Sequence, residues 1–112
     1  MIAASAHAFV TGRKTAGLYD HATKMHLRVA AESRGRHLQG YDGGRDMRFG
    51  GTLPELRDAG GEASVYMRVE GGTIEGYERN ASIHFTGHVS EGVIQVYDHG
   101  AGAWFAFNVQ VG

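Results

Sequence analysis

The sequence predicts an all-β fold: an antiparallel meander of about nine or ten short strands forming a closed or nearly closed barrel from related hairpins. Three observations carry that expectation. Apolar and polar residues alternate with period two, as they do when one face of a strand is buried and the other wetted. Val65, Met67 and Val69 alternate with Ser64, Tyr66 and Arg68, and Phe105, Phe107, Val109 and Val111 with Ala106, Asn108 and Gln110. Turn residues separate these runs at short intervals, among them Ser33-Arg34-Gly35, Asp42-Gly43-Gly44, Glu70-Gly71-Gly72, Ser90-Glu91-Gly92 and His99-Gly100-Ala101-Gly102. Loops this short join adjacent antiparallel strands.

The third observation is a repeat. A tyrosine followed by an acid recurs as Gly17-Leu18-Tyr19-Asp20, Gln39-Gly40-Tyr41-Asp42, Glu75-Gly76-Tyr77-Glu78 and Gln95-Val96-Tyr97-Asp98. Each copy is followed by a short apolar run, at Met25-His26-Leu27, Met47-Arg48-Phe49, Ile83-His84-Phe85 and Trp104-Phe105-Ala106-Phe107. Self-similarity of this kind marks a repeated supersecondary unit, here four related hairpins.

Taken in order, strands are expected near residues 6–12, 14–19, 24–31, 36–42, 46–51, 63–69, 72–78, 81–89, 92–98 and 103–111. Ala22, Met25, Leu27, Val29 and Ala30 tolerate helix, but the alternation in His26-Leu27-Arg28-Val29 and the match to the other repeats favour strand. The tyrosines of the repeat fall 22, 36 and 20 residues apart, so the interval from Gly50 to Glu62 breaks the spacing. Within it, Thr52-Leu53-Pro54-Glu55-Leu56-Arg57-Asp58 reads as a cap, a first-turn proline and one or two helical turns. A short helical insertion near 52–58 is therefore expected, as a lid or plug. Closing the first hairpin on the last would hide the sheet edges; the alternative is an open, bent sheet whose edge a second subunit covers.

Composition sets the bounds. The 112 residues suit one domain, 1–112, with one core. A content of 42% hydrophobic and 21% charged residues is that of an ordinary globular chain. No stretch approaches the length of a membrane helix and the N-terminus lacks a basic leader, so no membrane association is expected and the cytoplasm is the default location. The absence of cysteine removes disulfides, thiolate metal sites and cysteine nucleophiles. The net charge of −1 hides an uneven distribution, +4 over residues 1–57 and −5 over residues 58–112.

The residues that could carry chemistry form three groups. In the first, the tyrosine packs its ring on the sheet at a strand end while the acid accepts backbone N–H bonds in the turn. If the copies also converge on one barrel end, Tyr19, Tyr41, Tyr77 and Tyr97 with Asp42 and Glu78 become ligand-binding candidates, offering ring faces and carboxylates to a sugar, another polyhydroxylated molecule or an organic cation. In the second, Asp20, His21, Asp98 and His99 of the first and last hairpins are the candidates for acid/base work in a small hydrolase- or isomerase-like enzyme. His84 and His88 share a strand face roughly 13 Å apart, too far for a chelate, so neither a metal site nor a cofactor is expected. In the third, Arg28, Arg34, Arg36, Arg45 and Arg48 interleave with Tyr41 and Phe49 in a basic stretch of the type that binds nucleic acid. Asp42 and Asp46 interrupt it, which disfavours nucleic acid as the partner.

No Gly-x-Ser-x-Gly elbow is present, and no glycine cluster follows a strand and opens a helix to cradle phosphate. The reading these features favour is a non-catalytic module that binds a small molecule or a protein at the barrel end carrying the tyrosine–acid pairs. Trp104, on the opposite strand face from Phe105 and Phe107, is the expected contact residue of a homo-oligomer.

Overall fold

The structure, a computed structural model, describes residues 1–61, 64–90 and 92–111. An N-terminal helix, α1 (Ile2–Thr11), precedes β1 (Thr15–Asp20), β2 (Met25–Leu27), β3 (Val29–Arg34), β4 (His37–Asp42), β5 (Met47–Thr52), β6 (Glu55–Asp58), β7 (Ser64–Glu70), β8 (Thr73–Glu78), β9 (Ile83–Ser90), β10 (Val93–Asp98) and β11 (Ala103–Val111). Every strand pairs antiparallel with its sequence neighbours except β2 and β3, which do not pair with each other. The last pairs with the first through Leu18↔Val109, Tyr19↔Asn108 and Asp20↔Phe107, which closes the barrel. β2 and β3 both lie against β1 and form one wall strand interrupted at Arg28, giving ten staves. The expected strands beyond residue 14 correspond closely to these elements; residue 63 and the turn residue Glu91 lie outside the described residues.

Two elements differ from the sequence-based expectation. Residues 6–12, expected as strand, belong to α1, and residues 55–58, expected within a helical insertion, form β6. The helix follows from composition: Ala3, Ala4, Ala6 and Ala8 have the highest helix propensity, and Gly12 ends it in the left-handed conformation, φ 68°, with its N–H bonded to the Ala8 carbonyl at 3.0 Å. In β6 the alternation is that of a wall strand, with Leu56 and Asp58 buried and Arg57 exposed between them. Pro54 precedes the strand, and its carbonyl accepts the Met67 N–H at 2.7 Å.

α1 runs through the barrel. A wall of about eight strands encloses a lumen that side chains alone can fill, and ten leave more room. The helix takes up that room because its side chains are small. Residues Ala3 to Ala8 are all buried, and the helix packs against β1, β3, β4, β7, β9, β10 and β11. Around it the inward positions supply Leu18, Leu38, Leu56, Val65, Met67, Ile74, Ile94 and Val96. Glycines stand at inward wall positions, among them Gly40 and Gly76. Their cross-strand partners Phe49 and Phe85 lay their rings where a side chain at the glycine would stand.

Polar anchors fix the helix along the lumen. The Thr15 hydroxyl donates to the Ala4 carbonyl at 3.3 Å, and the Ser33 hydroxyl to the Ala8 carbonyl at 3.0 Å. With the Thr15 proton so engaged, His7 Nδ1–H donates to Thr15 Oγ1 at 2.8 Å. Burial, with a smaller contribution from Arg13, pushes the His7 imidazole below its ordinary range, so it stays neutral inside the barrel. The folded protein thus binds a proton at His7 less readily than the unfolded chain. The stability His7 contributes is complete above about pH 6.5, the unfolded value, and is lost progressively as the pH falls below it. Urea midpoints measured from pH 8 to pH 5 are expected to fall across this window. His7→Gln should flatten that dependence, since the other six histidines are exposed.

Candidate ligand pocket at the acidic end of the barrel

Because the strands alternate in direction, β1, β4, β6, β8 and β10 all finish at the same end of the barrel. Each finishes on an acid: Asp20, Asp42, Asp58, Glu78 and Asp98. Each acid lies two residues beyond an inward position, at Leu18, Gly40, Leu56, Gly76 and Val96, so the five carboxylates ring the mouth on the lumen side. Asp58 is the copy that the tyrosine pattern hides, since Leu56-Arg57-Asp58 carries arginine where the others carry tyrosine. The signal that finds it is the spacing of the acids: Asp58 stands 20 residues before Glu78, and Glu78 stands 20 before Asp98. Counted by their terminal acids, five strands end this way, where the tyrosine marks four.

Four of the acids organise the turns that follow them. Asp20 Oδ1 accepts from the Ala22 N–H, Asp42 Oδ1 from Gly44 and Arg45, Glu78 from Asn80 and Ala81, and Asp98 Oδ1 from Gly100 and Ala101. Four residues past each acid the chain takes a positive φ, at Lys24, Asp46, Ser82 and Gly102. The repeat is thus a turn in which the acid holds the second N–H group and, at Asp42, Glu78 and Asp98, the third, while a left-handed residue redirects the chain into the next strand. Asp58 is held differently: Arg45 pairs with it at 2.9 Å, and its side chain is only 4% exposed.

The tyrosines point the other way. Tyr19, Tyr77 and Tyr97 lie on the outer wall in edge or tilted contact with imidazoles, Tyr19 with His21 and His26, Tyr77 with His84, and Tyr97 with His99. Tyr41 is exposed and donates its hydroxyl to Asp46. The rings therefore do not gather around one mouth, whereas the acids do.

Asp20, His21, Asp98 and His99 are not brought together either. β11 separates β1 from β10, and Asp20 pairs with Phe107 while Asp98 pairs with Ala103, four residues along the same strand. His21 Nε2 meets Asn108, and His99 lies beside Tyr97 and Thr86. Among the described residues no group of three or more His, Asp or Glu side chains is arranged to hold a metal ion. The arginines of the basic stretch are divided as well: Arg28 donates to the Gly43 carbonyl, Arg45 pairs with Asp58, and Arg34 and Arg36 flank the β3–β4 turn at the opposite barrel end. Trp104 is 57% exposed and packs edge-on against Tyr97.

Between the first turn of α1 and the wall formed by β1–β3 and β8–β11, the lumen is not filled. A pocket of about 340 Å³ opens there, lined by Ile2, Leu18, Leu27, Phe85, Val96, Phe105 and Phe107, with Glu78 and Asp98 at its edge. Broader depressions of about 470 Å³ lie on the outer wall beside Arg48 and beside Arg68. Those are faces of the sheet bordered by charged side chains, whereas the mouth pocket has the apolar lining and few polar groups of a small-molecule site. Its residues come from seven strands and the helix, so no short segment could have announced it. No family model, no curated protein and no solved structure matches this chain.

Proposed function

We propose that the protein is a non-catalytic binding module that takes a compact, largely apolar small molecule into the mouth pocket at the acidic end of the barrel. The observation that carries this reading is the unfilled apolar space itself. Elsewhere the lumen is packed by α1 against Leu38, Leu56, Met67, Ile74 and Ile94, whereas at this end aromatic and aliphatic side chains line open volume. Packed interiors leave few voids larger than a water molecule, and a volume of about 340 Å³ lies within the range of small-ligand sites.

The test is an NMR titration with two neutral probes, 1-hexanol and indole. Shifts are expected to concentrate on Leu18, Leu27, Val96, Phe105 and Phe107, and Val96→Phe, which fills the pocket from the wall, should weaken binding about tenfold or more. Uniformly absent shifts, or shifts confined to the outer wall, would remove the reading.

A second reading, association with a protein or another copy of this chain through the outer wall, is favoured by the exposed Trp104 on its Tyr97 support. A molar mass that rises with concentration for the wild type but not for Trp104→Ala would support it.

A further inference from the structure

We infer that the mouth pocket selects a cation: its ligand is a compact apolar body bearing a protonated amine, held at Asp98. This rests on the pocket being a binding site and adds the charge of what it binds.

Among the side chains lining the pocket, two carry charge, and both are acids, Glu78 and Asp98. Their engagement differs. Glu78 uses both carboxylate oxygens on backbone N–H groups, Oε1 toward Ser64 and Asn80 and Oε2 toward Ala81 at 2.6 Å. Asp98 commits only Oδ1, to Gly100 at 2.8 Å and Ala101 at 3.0 Å, leaving Oδ2 as an acceptor with no hydrogen bond among the described residues. The Asp98 carboxylate is thus fixed in direction by its turn and has a lone-pair face to offer beside Val96 and the phenylalanines of β11.

Around the rest of the mouth Asp20 and Asp42 add acids, Asp58 is paired with Arg45, and Lys24 and Arg79 stand in the turns, so the side-chain charge that lines the pocket is that of Glu78 and Asp98. Met1 also borders the pocket. Burial lowers the affinity of its amino group for a proton, and the side chains that act on that group are Asp42 and Arg45, on the part of the wall away from Asp98. An anionic head would meet Glu78 and Asp98 as like charges. An alcohol would form only a neutral-to-charged bond to Oδ2, whereas an ammonium group forms a charge-assisted bond between two ions.

The experiment compares three probes of one shape, n-hexylammonium, 1-hexanol and hexanoate, by calorimetric or NMR titration at low salt. Hexylammonium is expected to bind about tenfold tighter than hexanol, with hexanoate weakest. Asp98→Asn keeps the Oδ1 acceptor on which the turn depends but removes the charge. It should bring hexylammonium down to the affinity of hexanol, change hexanol binding far less and leave the thermal midpoint near that of the wild type. Equal binding of ammonium and alcohol by the wild type, or an ammonium preference that survives Asp98→Asn, would overturn the inference while the pocket reading stands. If none of the three probes perturbs the pocket residues, both fail.

Discussion

Replacing Ala6 by leucine is expected to lower the thermal midpoint by roughly 10 °C, corresponding to about 3 kcal/mol. Ala6 has no exposed surface and sits mid-helix in the lumen, with wall strands on every side. Three added carbons there have no solvent to turn into, and the wall cannot widen without breaking ladder hydrogen bonds of a closed sheet. Ile2→Leu is the matched control: it conserves volume and lies at the open pocket, so its midpoint should stay close to that of the wild type. Differential scanning calorimetry of the two variants makes the comparison. An Ala6→Leu protein as stable as the wild type would mean that the helix is not the filling of the barrel.

Gly76→Ala is expected to cost about 2 kcal/mol or more in urea unfolding. A Cβ at Gly76 would run into the Tyr66 carbonyl oxygen, which is backbone, and into the ring of Phe85. The ring could give way, but the carbonyl belongs to the β7–β8 ladder and cannot move without disturbing the register of Tyr66 with Tyr77. Gly44→Ala offers the contrast. Its nearest new neighbour is Asp42 Oδ1 at 3.4 Å, an ordinary contact, and a change within about 0.5 kcal/mol is expected.

These two substitutions also mark the boundary of what the sequence could disclose. Alternation and turn chemistry are local, and they placed the barrel wall from β1 to β5 and from β7 to β11. The helix escaped because it is enclosed on every side. With no wetted face, Ile2–Thr11 shows no amphipathic stripe, and its small residues alternate with His7 and Phe9 in a way that resembles a strand. β6 escaped because a proline ahead of Glu55 imitates a helix start, while the strand that carries the alternation, Glu55–Asp58, is only four residues long.

At the candidate site the acids were legible as turn-forming residues, and the hydrogen bonds of Asp20, Asp42, Glu78 and Asp98 follow that reading. The pocket beside them depends on which strands closure makes neighbours, as it does β1 with Leu18 and β11 with Phe107. That information resides in closure of the barrel and not in any window of sequence. The tyrosines, one position before each acid, project to the other side of the wall for the same period-two reason that brings the acids inward.

Closure of the wall has a further consequence for the order of events during biosynthesis. The seam joins Leu18 to Val109 and Tyr19 to Asn108, residues about ninety positions apart in the chain, and it encloses a helix that leaves the ribosome before any strand. Until β11 emerges, α1 has an incomplete wall around it, and β1 presents one edge unpaired. Contacts of such long sequence separation are slow to form. Throughout synthesis of the barrel its first strand is therefore open to other partners, and that exposure ends only when the last strand of the barrel docks.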